Sequence, residues 1–274
     1  MSGFPALRLG YLYPRLMNLY SDAGNVLCLR RRCAWRGVEL EVVEIELGEA
    51  PDFAAFDLLF IGGGEDRQQV LAAHDLVAVK GPSLCAALAD GLVALAVCGG
   101  YQLFAEYYRP AEGEDLPGLG HFKAHTHHPG PAARRCVGNV AARWGEQWLV
   151  GFENHGGRTT LTGSAPLARV RRGYGNNGAD GTEGAVERNA FGTYLHGSVL
   201  PKNPALADEL VARALRRRGA TEPLPPLDDT VERAARDAAL AMLRLTGAPA
   251  TPLKTFGMAG RWLSARAGRR GARR

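Results

Sequence analysis

Two continuous apolar runs that end in glycine-rich sequence constrain the fold of this chain most strongly. Residues 57–61 (DLLFI) end at three consecutive glycines, and residues 92–97 (LVALAV) end at Cys98 and two more glycines. Apolar runs without polar alternation are typical of strands that are buried on both faces of a parallel sheet. Helical segments lie between them, so the sequence predicts an α/β fold with an open, mostly parallel sheet flanked by helices.

The flanking sequence extends this alternation. We predict strands over residues 7–13 and 38–45, separated by a helix that begins at Asp22 as its N-cap and ends near Gly37. Residues 134–195 contain short β-like runs between glycine-rich loops, and residues 205–217 and 230–245 predict two closing helices. One domain over residues 1–246 and a basic, flexible tail over residues 247–274 are therefore expected.

The net charge of +5 in 274 residues belongs to the tail. Residues 251–274 hold seven cations and no acidic residue, which leaves the first 250 residues with a net charge of −2. A basic groove for nucleic acid is therefore not supported. The tail also holds apolar residues, among them Phe256 and Trp262, so contact with an anionic membrane surface or with a partner protein stays open beside a solvated tail.

Cysteine usage and hydropathy indicate a cytoplasmic protein. Five cysteines without a CxxC pair predict neither a disulfide framework nor a zinc ribbon. The N-terminus lacks the cationic start and apolar core of a signal peptide. No apolar stretch reaches the roughly 20 residues that a bilayer crossing requires, so neither secretion nor a membrane span is expected.

Cys98 is the candidate nucleophile. It lies where a buried strand stops and a helix is predicted to start, between small residues that permit the sharp turn of a nucleophile elbow. The other four cysteines lack this combination of a strand end and flanking glycines. For them, a structural role in the core is the simpler interpretation.

A cysteine nucleophile needs a base, and His196 is the first candidate because it directly follows a predicted strand. His155 is the rival candidate. Four further histidines, at positions 121, 125, 127 and 128, have a spacing that suits a metal, but no cysteine or ordered acidic residue accompanies them. A solvated loop is the preferred interpretation, and no metal or other cofactor is expected.

The glycines at positions 62 to 64 resemble a phosphate loop only superficially. They lack the Gly-Lys-Ser/Thr ending of a P-loop and the spacing of a dinucleotide fingerprint. Backbone N–H groups in such a turn can point into a cavity and hold an oxyanion. Beside a cysteine elbow, this second interpretation is favoured.

Five motifs in order carry a resemblance to a known family. They are Ile-Gly-Gly-Gly (61–64), Val-Cys-Gly-Gly-Tyr-Gln (97–102), Gly-Phe-Glu-Asn-His-Gly-Gly-Arg-Thr (151–159), Gly-Tyr-Gly-Asn-Asn-Gly (173–178) and Tyr-Leu-His-Gly-Ser-Val-Leu-Pro-Lys-Asn-Pro (194–204). Over about residues 5–245 the chain resembles the cobyric-acid-synthase-like class I glutamine amidotransferases.

The resemblance implies roles for individual residues. Cys98 would be the nucleophile and His196 its base. Arg135, with Arg134 as the alternative, would bind the substrate glutamine. The turn at Gly62 and Gly63, together with the N–H of Gly99, would form the oxyanion hole, and Gln102 would lie near the substrate.

One position departs from the family pattern. Ordinary class I amidotransferases have a glutamate two residues after the histidine, where this chain has Ser198. The motifs are most similar to family members that pair with a separate Mur-ligase-like (MurT-type) ATP-dependent subunit. The resemblance therefore implies that the partner supplies the missing acid in a heterodimer.

The implied function is hydrolysis of glutamine to glutamate, with the ammonia passed to this partner, which would amidate the D-glutamate α-carboxylate of the lipid II stem peptide in peptidoglycan synthesis. Two alternatives remain: a glutaminase for a corrinoid-type amide synthetase, and a regulatory module of the same fold without catalysis. A lipid-linked acceptor would place the protein in the cytoplasm, at the inner face of the membrane.

Overall fold

A computed structural model describes residues 3–196 and 198–245. The predicted tail, residues 247–274, and the predicted domain boundary at residue 246 lie outside the described residues.

Within these ranges the strands are β1 (Leu7–Leu12), β2 (Leu40–Ile45), β3 (Leu58–Ile61), β4 (Val93–Val97), β5 (Tyr107–Arg109), β6 (Leu116–Pro117), β7 (Ala124–His127), β8 (Cys136–Trp144), β9 (Gln147–His155), β10 (Arg158–Leu161), β11 (Ala168–Arg172), β12 (Thr182–Glu183), β13 (Ala185–Glu187) and β14 (Ala190–Thr193). The helices are α1 (Ala23–Ala34), α2 (Asp66–Asp75), α3 (Gly81–Ala89), α4 (Gly99–Phe104), α5 (Val199–Lys202), α6 (Pro204–Arg217) and α7 (Thr230–Met242). A π-helical segment, Leu76–Lys80, joins α2 to α3, and single 3-10 turns lie at Leu19–Ser21 and Phe53–Ala55.

The main sheet has six strands in the order β13-β14-β4-β3-β1-β2. All its pairs are parallel except β13 with β14. Every residue of β3, β4 and β14 is buried, as expected for strands covered on both faces. The predicted fold class is confirmed, and the predicted strands of the first half agree with the structure to within two residues.

The second half contains the predicted strands, but most of them lie outside the main sheet. Strands β10, β7, β5 and β6 form one small sheet, and β12, β11, β8 and β9 form another. The β8–β9 hairpin pairs over nine residues, from Cys136 opposite His155 to Trp144 opposite Gln147. An isolated bridge between Phe152 and His196 connects this hairpin to the chain that follows β14.

The strand order brings the segments that follow four strands to the same edge of the main sheet. Strand β1 lies between β2 and β3. The chain runs from β1 to β2 on one side of it and then crosses back to form β3 on the other side. Ligand sites in open α/β sheets lie at such a switch point, beyond the carboxyl ends of the strands. The segments that leave β1, β3, β4 and β14 therefore converge, and they carry Asp22, Gly63, Cys98 and His196.

One helical run, Asp66–Ala89, is long and apolar enough by composition to cross a bilayer. Core helices share this property, and a single such run is weak support for a membrane span. In the structure the run contacts β6 and the turn at Phe53–Ala55. Its Lys80 is buried and forms an ion pair with Asp75, so the run packs as part of the fold.

Candidate active site

Cys98 occupies the sharp turn that the sequence predicts between β4 and α4. Its backbone has φ 50° and ψ −106°, a sparsely populated conformation for a residue with a side chain. The Cys98 N–H donates to the carbonyl of Thr193 on β14 (2.8 Å), and its carbonyl accepts from the N–H of Gln102 (3.0 Å). These bonds fix the side chain at the carboxyl edge of the sheet, where Cys98 is 7% exposed.

His196 lies beside Cys98 and is fully buried. Its N–H donates to the carbonyl of Phe152 (2.7 Å), which fixes the backbone after β14 against the β8–β9 hairpin. Neither ring nitrogen of His196 completes a hydrogen bond within the described residues. We refer to Cys98 and His196 as the dyad.

Asp22 supplies a carboxylate on the far side of the imidazole. Its Oδ2 lies 3.5 Å from Nδ1 of His196, and both side chains are fully buried. Burial by itself lowers the pKa of His196, but the neighbouring Cys98 and Asp22 outweigh this effect and raise the pKa to about 10. The imidazole is therefore held in its protonated form beside Cys98 at neutral pH.

The role of Asp22 differs from the sequence prediction. We predicted an N-cap, but its side chain makes no capping bond to α1. Its Oδ2 instead accepts the N–H of Gly63 (2.8 Å), on the segment that follows β3. Asp22 does hold the N-cap position before α1, as predicted, but its carboxylate bonds across the switch point instead of capping the helix.

Gly63 is in direct contact with the dyad. A Cβ atom at this position would lie 2.9 Å from Cε1 of His196 and 3.3 Å from Cβ of Cys98, so glycine is required. The N–H of Gly63 is occupied by Asp22. The N–H groups of Gly64 and Gly99 have no hydrogen-bond partner within the described residues, and a Cβ at Gly99 would lie 3.2 Å from the nitrogen of Gly64. The amide nitrogen of Gly64 therefore lies close to the α-carbon of Gly99, the residue after Cys98.

His155, the rival base, has different neighbours. Its ring stacks on Tyr194 at 3.7 Å between centroids, and its Nδ1 bonds with the carbonyl of Gly157 (2.8 Å). Its Nε2 lies 3.8 Å from the buried carboxylate of Glu153. The contacts of His155 thus belong to the second half of the chain, whereas His196 contacts the dyad partner and Asp22.

Arg135 is linked to the dyad through two side chains. Its Nε and Nη2 donate to Oδ1 (2.9 Å) and to the main-chain oxygen (3.2 Å) of Asn154. Asn154 donates to the hydroxyl of Tyr20, whose ring lies edge-on to His196 at 5.1 Å. Arg134 is also exposed, but its guanidinium makes no hydrogen bond or ion pair within the described part of the chain. This geometry favours Arg135.

Gln102 lies in a buried chain of hydrogen bonds behind Cys98. Its Oε1 accepts from Gln69 (2.7 Å), and its Nε2 donates to the hydroxyl of Tyr194 (3.1 Å). Tyr194 in turn bonds with Thr159 (2.6 Å). These bonds position α4, and a direct contact between Gln102 and the substrate stays a prediction.

The four clustered histidines are half-buried, and His125 and His127 lie on strand β7, so the predicted solvated loop is wrong for these two. His125 stacks on Tyr107, and Nε2 of His127 bonds with the hydroxyl of the same tyrosine (2.8 Å). Nε2 of His121 lies 3.3 Å from the carbonyl of Glu187. Among residues 3–196 and 198–245, no group of three or more His, Cys, Asp or Glu side chains is arranged to hold a metal ion.

Ser198 stands where ordinary class I amidotransferases have their triad glutamate. Its Oγ donates to the carbonyl of Ser21 (2.8 Å) and so ties the chain after His196 to the segment that carries Asp22. The acid next to the histidine therefore comes from the β1–α1 connection of this chain, which the sequence did not reveal.

Comparisons with known proteins identify the family of this chain. Residues 8–204 match the CobB/CobQ-like glutamine amidotransferase domain. The chain is 42% identical over 206 residues to the lipid II isoglutaminyl synthase (glutamine-hydrolyzing) subunit GatD of Staphylococcus aureus, covering 74% of this chain and 82% of the relative. The same subunit of Streptococcus pneumoniae is 37% identical over 227 residues, covering 81% and 86%.

Solved structures support the fold independently. The structure of PurLQS from Thermotoga maritima superimposes with a TM-score of 0.54 at 14% identity, over 79% of this chain and the whole of that chain. An identity this low supports the fold alone. The match to the domain and the similarity to its relatives go further: the chain belongs to the CobB/CobQ-like family and is a glutamine amidotransferase.

Proposed function

We propose that this chain is the glutaminase subunit of a lipid II isoglutaminyl synthase. The observation that carries the proposal is the dyad of Cys98 and His196 with Asp22 behind it, in a chain whose curated relatives are named as the glutamine-hydrolysing subunit of that enzyme. The product ammonia would amidate the D-glutamate α-carboxylate of the lipid II stem peptide.

The chemistry proceeds through a thioester. The Cys98 sulfur attacks the carboxamide carbon of glutamine, and the oxyanion that develops accepts hydrogen bonds from backbone N–H groups. The carbon–nitrogen bond then breaks as the His196 imidazolium gives its proton to the leaving ammonia. Water, deprotonated by the now neutral imidazole, attacks the thioester, releases glutamate and restores the Cys98–His196 pair.

The donors of the oxyanion hole follow from which N–H groups are free. The sequence-based candidates are Gly63 and Gly99, and the N–H of Gly63 donates to Asp22 in the structure. Use of Gly63 as a donor would require this bond to break. The unpartnered N–H groups of Gly64 and Gly99 need no rearrangement, so we assign them to the oxyanion.

Recognition of free glutamine is assigned to Arg135. A guanidinium can hold a carboxylate through two parallel hydrogen bonds, and the Nε and Nη2 edge of Arg135 faces Asn154 near the dyad.

The acceptor carboxylate must be activated by another polypeptide, because the glycine turn of this chain lacks the P-loop ending. We propose a MurT-like ATP-dependent Mur ligase as that subunit, in a heterodimer. Asp22 provides this chain with its own acid beside His196. An acid from the partner, as the family resemblance implies, would then supplement Asp22.

We propose that the enzyme acts in the cytoplasm, at the inner face of the membrane where a lipid-linked acceptor is reached. The role of the tail, residues 247–274, in membrane contact stays a prediction, and co-sedimentation with anionic vesicles at low and high salt tests it. A chain that ends at Ala250 is the control. Salt-sensitive binding that is lost on truncation supports the contact, and equal binding by both chains contradicts it.

Ammonia release tests the proposed function. The purified chain is assayed with glutamine alone, and then with a Mur-type ligase, ATP and lipid II, with Cys98→Ser as the control. We expect ammonia release that depends on Cys98 and amidated lipid II only in the complete mixture. Amidation of a corrinoid acceptor instead would favour the corrinoid-type alternative. Absence of hydrolysis in every mixture would favour the regulatory module.

A further inference from the structure

Tyr20 covers the dyad. Its ring lies edge-on to His196 at 5.1 Å between centroids and edge-on to Phe152 at 6.2 Å. Tyr20 itself is 42% exposed, whereas His196 is fully buried and Cys98 is 7% exposed. The tyrosine thus forms part of the outer surface beside the buried imidazole of His196.

The backbone of this cover is held in an unusual conformation. Tyr20 has φ 54° and Ser21 has φ 62°, two consecutive non-glycine residues in the left-handed region. Such residues keep this conformation only where surrounding contacts impose it. The contacts here are the bond from Ser198 Oγ to the carbonyl of Ser21 and the bond that Tyr20 makes with Asn154.

The bond to Asn154 connects the cover to the residue assigned to glutamine binding. Nδ2 of Asn154 donates to the hydroxyl of Tyr20. The other polar groups of Asn154, Oδ1 and the main-chain oxygen, accept from Nε (2.9 Å) and Nη2 (3.2 Å) of Arg135. Arg135, Asn154, Tyr20 and His196 therefore form one continuous chain of contacts from the surface to the dyad.

We propose that Tyr20 is a substrate-responsive cover of the dyad, which is released when glutamine binds Arg135. The proposal rests on the glutamine-binding role of Arg135 proposed above. A carboxylate can bind a guanidinium in two parallel bonds along the Nε and Nη2 edge, and Asn154 occupies this edge of Arg135 in the structure. The incoming α-carboxylate competes with Asn154, the amide loses its fixed orientation, and the Tyr20 hydroxyl loses its donor. The cover then opens for a ligand that carries an α-carboxylate and stays closed to other carboxamides and electrophiles.

Alkylation of Cys98 by iodoacetamide tests the cover directly. This reagent has a carboxamide but no carboxylate, so it cannot release the cover through Arg135. The rate is followed by mass analysis of the peptide that contains Cys98, because Cys85 is exposed and can also react; the core position predicted for Cys85 is wrong. We expect Asn154→Ala and Tyr20→Phe each to raise the rate about fivefold, the population shift that corresponds to one lost hydrogen bond.

Tyr107→Phe is the matched control. It also removes a hydroxyl that bonds with one side chain, Nε2 of His127, but outside the contacts of the dyad. We expect its alkylation rate to equal that of the wild type. Thermal unfolding of each variant identifies any that misfolds, and Asn154→Ala remains informative if Tyr20→Phe is unstable, since it breaks the same bond from the other side.

Glutamine kinetics give a readout that a purely structural role would not change. If the closed cover reduces the competent fraction of the enzyme, opening it lowers the KM for glutamine and leaves kcat unchanged. If folded Tyr20→Phe and Asn154→Ala are alkylated at the wild-type rate, the proposed cover is wrong. That result would not contradict the proposed glutaminase function. Faster alkylation without glutamine hydrolysis in any mixture would support the cover and contradict the proposed function.

Discussion

Two buried charged clusters, both involving the α1 region, differ in how completely their polar atoms are bonded. Arg32 on α1 donates to Asp208 and Asp229 through four hydrogen bonds of 2.6 to 3.2 Å, and Arg36 adds a bond to Asp208 (2.7 Å). Just before α1, Oδ1 of Asp22 and both ring nitrogens of His196 complete no hydrogen bond within the described residues.

This difference indicates that the Arg32 cluster stabilises the fold, whereas the dyad carries out the chemistry. A buried guanidinium that uses four of its five N–H donors fixes α1 against α6 and the start of α7. The dyad retains a strained nucleophile and an Nε2 of His196 that completes no hydrogen bond within the described residues, which costs stability but leaves a group free for a substrate. Substitutions in the two clusters should therefore affect different measurements.

The largest effect is expected from Cys98→Ser. Loss of the thiol should reduce glutamine hydrolysis by about 10³-fold or more, because no other group can form the thioester. The free energy of unfolding should change little. Ammonia release and labelling by a glutamine-mimicking electrophile measure the effect. Labelling that persists on Cys85 or Cys136 would contradict the assignment of the nucleophile.

Arg32→Met should have the opposite effect to Cys98→Ser: a large loss of stability and a small effect on glutamine hydrolysis. Removal of the guanidinium leaves Asp208 and Asp229 without their shared partner, and we expect the free energy of unfolding to fall by about 3 kcal/mol. Urea unfolding measures this change, with the exposed Arg31→Met as the control, which should change it by less than about 0.5 kcal/mol. If Arg32→Met and Arg31→Met have the same free energy of unfolding, the proposed difference between the two clusters is wrong.

His196→Ala should lower kcat/KM by about 10²-fold, the typical cost of a lost general base. Stopped-time ammonia assays of His196→Ala and His155→Gln compare the two candidates side by side. We expect the larger loss for His196 because its ring contacts Asp22, whereas the ring of His155 stacks on Tyr194. An unaffected rate in His196→Ala would transfer the role to His155.

Asp22→Asn should lower kcat/KM by about tenfold or slightly more. This is less than the roughly 10⁴-fold loss from a tightly bonded triad aspartate, because Asp22 lies 3.5 Å from Nδ1. Asparagine can still accept the N–H of Gly63, so the fold should be retained.

The pH profile of Asp22→Asn gives a second readout. The raised pKa of His196, about 10, keeps the imidazolium from acid pH up to that value, and the stability it contributes is complete below the ordinary pKa near 6.5 and lost as pH rises through 10. Removal of the carboxylate should move the alkaline limb of kcat/KM to lower pH. An alkaline limb that does not move would show that Asp22 does not act on the imidazole.

The smallest effect is expected from Arg135→Lys. A single ammonium cannot reproduce the planar pair of donors, so the KM for glutamine should rise about fivefold. Arg134→Lys is the matched control in the neighbouring position. If Arg134→Lys raises the KM and Arg135→Lys leaves it unchanged, the glutamine binder is Arg134.

The predicted parallel sheet, the turn at Cys98 and the position of His196 after a strand could be obtained from the sequence, because each depends on local patterns. Uninterrupted apolar runs specify strands that are buried on both faces, and glycines after such runs specify sharp turns at their carboxyl ends. The sheet order then places Cys98 and His196 together, since β4 and β14 are parallel neighbours.

Only the tertiary structure brings together the residues that act from distant segments of the chain. Asp22 looks like a helix cap along the chain, and only the switch point between β1 and β3 brings it to Gly63 and His196. Tyr20 and Asn154 are 134 residues apart in sequence, and they meet where the bridge between Phe152 and His196 holds the β8–β9 hairpin against the chain that follows β14. Apolar periodicity records which faces are buried, whereas the partner of a single buried polar group depends on the packing of the whole chain.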